Sequence, residues 1–232
     1  MPGLELEPIG VVRSPYGQKL GIPRQAGLAS AVVSRIELDP ERVGAQSTRG
    51  LDRVSHLWLI FGFSEHYGAE VRDTVRPPRL GGETRLGVFA TRSPFRPNPL
   101  GLSVVELVSV HGLVLEVRGA DVLDGTPVYD LKPYLPWAES LPEARCDWAD
   151  SAPLALEVEF SDRAESALAS QPEPESLRRV LVSSLQWDPR PAWERAQRRQ
   201  YRTRMAGFDI TFSVADDVLE VVEISAAGPL AP

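Results

Sequence analysis

Leu102-Ser103-Val104-Val105-Glu106-Leu107-Val108-Ser109-Val110, then His111-Gly112, then Leu113-Val114-Leu115-Glu116-Val117 reads as two β-strands joined by a short hairpin. Working back from this stretch, Leu86 to Ala90 is a further short strand. His56-Leu57-Trp58-Leu59-Ile60-Phe61-Gly62-Phe63 is nearly all apolar, the pattern of a strand buried on both faces. Ala31 to Leu38 alternates and stops at Asp39-Pro40, and Ile9 to Arg13 runs into Ser14-Pro15. Forward of it, the turn Asp124-Gly125-Thr126-Pro127 leads into an alternating Val128 to Leu131. Short strands without a long helix between them predict a mainly β chain whose N-terminal part is closed or sandwiched. The 21 prolines and 18 glycines among 232 residues argue the same way, against a helical bundle.

After about Trp148 the character changes. Leu154 to Phe160 reads as a strand, and Ser161 is placed to cap a helix running to about Ser170. Leu177, Val180, Leu181 and Leu185 give Glu175 to Gln186 the apolar face of a second helix. Phe208 to Val214 and Val218 to Ile224 alternate around Asp216-Asp217 as a hairpin. The expected division is therefore residues 1–149 as a β domain and 150–232 as a small α+β domain, with no internal repeat.

Apolar and charged shares of 43% and 25% are those of a folded globular chain. No apolar run reaches the length of a membrane span, Met1 to Glu5 show no basic or apolar region that would suggest secretion, and Cys146 is the single cysteine. These features predict a cytoplasmic protein. His56, His66 and His111 lack metal-ligand spacing, so no metal is expected. G-x-G-x-x-G, P-loop and G-x-S-x-G patterns are absent, which disfavours dinucleotide, P-loop and serine-hydrolase chemistry. Charge is uneven under a total of −7: six arginines face two acids in Arg72–Arg96, six face one in Arg190–Arg204, and ten acids face two arginines in Glu139–Glu175. Such basic stretches either converge into a nucleic-acid surface or are solvated and paired with nearby acids.

Three segments carry chemistry. Between Arg76 and Gly101 five prolines and four glycines hold a loop carrying Arg76, Arg79, Arg92 and Arg96. A stiff cationic loop suits a polyanion or a ligand carboxylate; alternatively it is a structural corner. In Asp121 to Tyr134, Asp130 and Lys132 share a strand face, and with Tyr134 they put an acid, an amine and a phenol within five residues, a proton-handling set or a surface ion pair. Pro23-Arg24-Gln25-Ala26-Gly27-Leu28 is a loop whose glycine permits close backbone approach to a ligand or merely makes a turn.

In this order, together with Ile9 to Pro15, Arg49-Gly50-Leu51 and Ser55 to Trp58, these segments resemble the TrmO (TsaA-like) family of tRNA methyltransferases. Ala138 to Pro142 and Asp188 to Ala192 resemble the small C-terminal domain of its bacterial members. The resemblance implies an N-terminal β-barrel and S-adenosyl-L-methionine as cofactor. It also implies N6-methylation of threonylcarbamoyladenosine immediately 3′ of the anticodon, and a homodimer with the cofactor near the subunit interface. Two departures stand out: Ala26 replaces a familiar proline, and Ser64-Glu65 replaces a familiar His-Gln pair.

Roles follow from that reaction. An N–H beside a carbonyl needs a base or strong acceptor; Asp130 is the first candidate and Asn98 the second. Lys132 and Tyr134 are candidates to orient the carbamoyl or stabilise its oxyanion. Arg92 or Arg24 is expected on the cofactor carboxylate, with Gln25, Ala26, Gly27, Ser64, Glu65, Leu102, Asp124, Gly125 and Thr126 completing its site. Arg76, Arg79 and Arg96 are expected to face RNA. The competing readings are a protein that binds the cofactor without transferring its methyl, and an RNA-binding β-barrel without catalysis.

Overall fold

The computed structural model describes residues 3–191, 194–195 and 199–228. Its first part contains β1 (Gly10–Arg13), β2 (Val33–Leu38), β3 (His56–Gly62), β4 (Thr74–Val75), β5 (Leu86–Gly87), β6 (Leu100–His111), β7 (Val114–Arg118) and β8 (Thr126–Pro133). Six of these close into a barrel in the order β1-β2-β7-β6-β3-β8, every ladder antiparallel. Closure leaves the barrel no free edge. Ile36, Leu57, Leu59, Val105, Leu115 and Val128 are among the residues that fill it. The β6–β7 hairpin pairs His111 with Val114, so the turn is Gly112-Leu113, and Gly112 takes the left-handed conformation (φ 62°).

Two sequence expectations are corrected here. Strand β3 is not buried on both faces. Leu57, Leu59 and Phe61 point inward, while Trp58 and Ile60 are half-buried on the outer wall, because an antiparallel barrel has one dry face. Phe61 lies against Gly101, where a Cβ would come within 2.2 Å of its ring. The run Leu86 to Ala90 is a strand for two residues only, and Val88–Ala90 is a 3₁₀ turn. Thr91 Oγ1 donates to Val88 O there, diverting the chain from the ladder.

A single helical turn, α1 (Pro136–Glu139), follows β8. Beyond it lie β9 (Glu157–Phe160), α2 (Asp162–Ala169), α3 (Pro174–Leu185), β10 (Gln200–Met205), β11 (Phe208–Ala215) and β12 (Val218–Ala226). The sheet order is β10-β11-β12-β9, with β9 parallel to β12. Ser161 caps α2 by accepting from the Ala164 N–H. Leu168, Leu181 and Leu185 of the helices share a core with Ile210, Phe212 and Leu219 of the sheet.

The loop between β1 and β2 belongs to this second core. Tyr16, Ala29 and Val32 are buried in it. The Tyr16 hydroxyl bonds Ser184 Oγ (3.0 Å), Ala206 N–H donates to Pro15 O (2.7 Å), and Trp187 Nε1 donates to Leu28 O (2.9 Å). Among the described residues no helix is long and apolar enough to cross a membrane. No group of three or more His, Cys, Asp or Glu is arranged for a metal ion among them.

Candidate active site

The Pro23–Leu28 loop is held at one end of the barrel by backbone contact. Gly27 (φ 81°) donates to Gly119 O at 2.8 Å, and a Cβ on Gly119 would come within 3.1 Å of Gly27. Both glycines have a positive φ (81° and 79°), a backbone conformation that favours glycine. Beside it, Arg92 Nη1 donates to Gln25 Oε1. Ser103 Oγ donates to Asp121 Oδ1 at 2.7 Å. Burial raises the pKa of Asp121, opposed by Ser103, by backbone N–H groups including that of Ala26, and by the charge of Arg92. Gln25, Ala26 and Arg92 thus converge with the Asp121 carboxylate, which no sequence motif marks as part of the site. Asp124, Gly125 and Thr126 are spent on fastening their turn. Asp124 Oδ1 accepts from the Ser14 N–H (3.0 Å), Gly125 N–H donates to Val12 O (2.9 Å), and Thr126 Oγ1 donates to Leu123 O (2.8 Å).

A cavity of about 180 Å³ opens between this turn and the 3₁₀ turn Ser64–His66, walled by Phe61, Phe63, His66, Asp121 and Thr126. Ser64 and Glu65 line it, and Glu65 pairs with Lys19 at 2.6 Å. His66 packs edge-on against Phe95 (4.9 Å). Burial lowers its pKa, Lys19 lowers it further and Glu65 opposes them.

Asp130 and Lys132 lie on the outer wall. They face Ile60 and Trp58 across the β3–β8 ladder, which has a bulge between Ile60 and Phe61 that takes up Tyr129. Asp130 Oδ2 meets Lys132 Nζ at 2.8 Å, with Asp130 Oδ1 accepting from the Leu131 N–H (2.9 Å). Tyr129 is not free for chemistry: its hydroxyl bonds that of Tyr67 at 2.7 Å, and burial with this bond raises the pKa of Tyr67. Tyr134 packs on Trp58 (5.8 Å), whose Nε1 donates to Glu139 (2.6 Å). Leu102, opposite Ile60, is 54% exposed on the same wall. Asn98 is exposed in the turn before β6, its own carbonyl accepting from Leu100.

Among the described residues, no hydrogen bond or ion pair joins the outer-wall set to Gln25 or Arg92. Leu102 points outward while its neighbour Ser103 reaches Asp121, so the two sets lie on different sides of the β6 wall. The loop arginines also divide. Arg76 is exposed, Arg79 binds Ser151, and Arg96 donates to Val88 O (3.4 Å) and Thr91 O (3.3 Å), bracing its own loop. Arg24 turns away from the cofactor candidates and donates to Arg190 O at 2.7 Å.

The tRNA-methyltransferase O N-terminal domain family matches residues 11–140, and the TrmO C-terminal domain family matches 153–227. The chain belongs to the TrmO family. An Escherichia coli (strain K12) relative named tRNA (adenine(37)-N6)-methyltransferase is 42% identical over 229 residues, covering 95% of this chain and 97% of the relative. A crystal structure of TrmO from Pseudomonas aeruginosa matches with a TM-score of 0.79 at 34% identity, over 97% of this chain and 99% of that one. A Pyrococcus abyssi relative, named a probable S-adenosyl-L-methionine-binding protein, is 37% identical over 155 residues, 67% of this chain and 81% of its own. Gln25, Arg92, Asp121, Asp130 and Lys132 all fall within the TrmO N-terminal match, and Asp188 and Arg190 within the C-terminal one.

Proposed function

We propose that this TrmO family member is an S-adenosyl-L-methionine-dependent tRNA methyltransferase acting on the N6 nitrogen of threonylcarbamoyladenosine, immediately 3′ of the anticodon. The observation that carries the reading is whole-length likeness to the Escherichia coli protein named tRNA (adenine(37)-N6)-methyltransferase. The residues present suit the cofactor. Its amino-acid end and sulfonium carry both signs of charge, and the site sets the Arg92 guanidinium near the half-buried Asp121 carboxylate. When bound, the cofactor supplies an electrophilic methyl group. Arg92 is assigned to its carboxylate, and the Gln25–Gly27 backbone to its close approach. The Asp130 carboxylate takes the acceptor N–H, and Lys132, 2.8 Å away, stabilises negative charge on the neighbouring carbonyl oxygen. Most of the rate then comes from alignment.

The reading includes a homodimer in the cytoplasm, with the division between units near residue 150. Leu102, Ile60, Trp58 and Val104 form an outward apolar strip beside Asp130 and Lys132. A second copy seated there supplies the cofactor set that one chain holds on another side of its wall.

Methyl transfer to tRNA with and without the threonylcarbamoyl group tests the reaction. The modified tRNA should be the substrate; equal methylation of both, or of neither, overturns the proposal. Mixing Arg92→Ala and Asp130→Ala chains, each inactive, should restore activity if the site is shared. Full activity from a demonstrated monomer refutes the sharing.

A further inference from the structure

At the junction between the Pro23–Leu28 loop and the second unit, two guanidinium groups share one carboxylate and a third is seated beside them. Asp188, in a left-handed backbone conformation (φ 47°), receives Arg190 through Nε at 2.8 Å and Nη2 at 3.2 Å. Its Oδ2 also takes Arg195 Nε at 3.1 Å. Every nitrogen of the Arg190 guanidinium is engaged, since its Nη1 donates to the Arg195 carbonyl at 3.0 Å, and its side chain is 7% exposed. Arg24 is seated on top, with Nη2 on the Arg190 carbonyl at 2.7 Å. Among the described residues Arg24 has no carboxylate in ion-pair range. Crowding by burial, and then by the charge of Arg195, lowers its pKa, with Asp188 opposing.

Three positive charges against one negative leave this junction in excess by two. A backbone carbonyl satisfies one N–H of Arg24 without cancelling its charge, and most of the fork remains unspent. Both outer guanidinium groups are reachable: the Arg195 side chain is 47% exposed, and Arg24 is exposed despite its crowded head group. A crowded, uncompensated cation is unfavourable until an anion reaches it.

We propose that Arg24 and Arg195, seated on the buried Arg190–Asp188 pair, hold a backbone phosphate of the tRNA. This rests on the function proposed above and gives the second unit a task in it. A phosphodiester fits better than the cofactor carboxylate, because Arg92 lies with Gln25 and Asp121 whereas Arg24 turns the other way, toward the second unit. The charge of Arg195 is felt at Arg24, and two neighbouring guanidinium forks are what phosphate recognition uses.

The test titrates the full-length chain with threonylcarbamoyl-modified tRNA over a series of salt concentrations, and with S-adenosyl-L-methionine by calorimetry. Arg195→Gln and Arg24→Gln should each weaken tRNA binding roughly fivefold and reduce the salt slope by about 0.7 to 0.9. Arg195→Glu should weaken it further, and Arg24→Lys should keep most of the slope because it keeps the charge. Cofactor affinity should stay within about twofold, the expectation for groups that touch only the nucleic acid. Unchanged tRNA affinity and slope in both Gln variants, with wild type binding normally, overturns the site. So does a fall in cofactor affinity for Arg24→Gln with Arg195→Gln silent, since that outcome puts a carboxylate on Arg24. Should Arg24→Gln fail to fold, Arg195→Gln and Arg195→Glu, altered at a half-exposed position, decide the matter alone. Absence of tRNA binding by the wild-type chain overturns the function itself.

Discussion

The arginines of Arg72–Arg96 and those of Arg190–Arg204 are equal in number and differ in what they touch. In the first stretch five of the six meet neutral groups: Ser151 for Arg79, Thr74 for Arg85, Gln25 for Arg92, backbone carbonyls for Arg96 and the Phe95 ring for Arg72. In the second, every described arginine meets a carboxylate: Asp188 for Arg190 and Arg195, Glu194 for Arg199, and Asp209 for Arg202 and Arg204. Arg198 lies outside the described residues. Neutral partners fix a guanidinium in place and leave its field intact, whereas a carboxylate cancels it. Equal arginine counts in sequence therefore describe one stretch able to attract a polyanion and another that is largely neutralised by carboxylates, apart from its junction with Arg24.

The Asp130–Lys132 pair is the sharpest way to break this contrast. If ion pairing only cancels charge, Asp130→Asn costs at most about 1 kcal/mol of stability and leaves turnover intact. The expected outcome is a loss of about 10² to 10⁴ in single-turnover rate, with cofactor affinity nearly unchanged by calorimetry. Next in size is Arg92→Ala, which should weaken S-adenosyl-L-methionine binding by roughly tenfold or more, as loss of a charge-assisted contact does. Binding of tRNA at fixed salt should change much less in that variant.

Asp209 probes the neutralised stretch. It accepts from Arg202 at 2.7 Å and Arg204 at 3.0 Å, and the bond with Arg204 leads the causes that lower its pKa. Asp209→Asn should lower unfolding stability by about 1 to 2 kcal/mol in a denaturant titration at neutral pH. A depressed folded-state pKa means that this contribution is present above the ordinary carboxylate value and lost as pH falls through the depressed one. Wild type and variant should therefore converge in acid. A constant gap down to the acid limit removes the ion pairs as its source. The smallest effect is the most direct: Arg76→Ala should reduce the salt slope of tRNA binding by about 0.7 to 0.9, while Arg202→Ala, also exposed, should leave it unchanged. Equal slopes for the two erase the contrast between the stretches.

Local signals were legible in the residues. The Ser161 cap, the Gly112 turn and the Asp216 turn each depend on neighbours a few positions away. Strand β10 was hidden because its arginines read as a charge run. Tyr201, Thr203 and Met205 are buried on one side while Arg202 and Arg204 point to the other, an alternation that the charge obscured. Near one end of the barrel Gln25, Ala26 and Arg92 come together, and on its outer wall Asp130 meets Lys132. Asp121 and His66 were not legible. What holds the half-buried Asp121 is Ser103, 18 residues earlier on β6, together with the Ala26 N–H and Arg92. The destination of the Ser14–Val32 loop was equally unreadable, because nothing within it names a partner beyond residue 180.

That loop sets an order of events during synthesis. Tyr16 waits for Ser184, 168 residues later, and Leu20 O waits for Thr203, 183 residues later. At about 5 to 20 residues per second, the delay is roughly 10 to 30 seconds on the ribosome. Through that interval β1 and β2 can pair while Tyr16, Ala29 and Val32 between them remain uncovered apolar surface. Contacts this distant along the chain also slow refolding of the finished protein. Helper proteins that shelter nascent chains should therefore engage it between the emergence of β2 and that of β10, and release it only once the last hairpin is made.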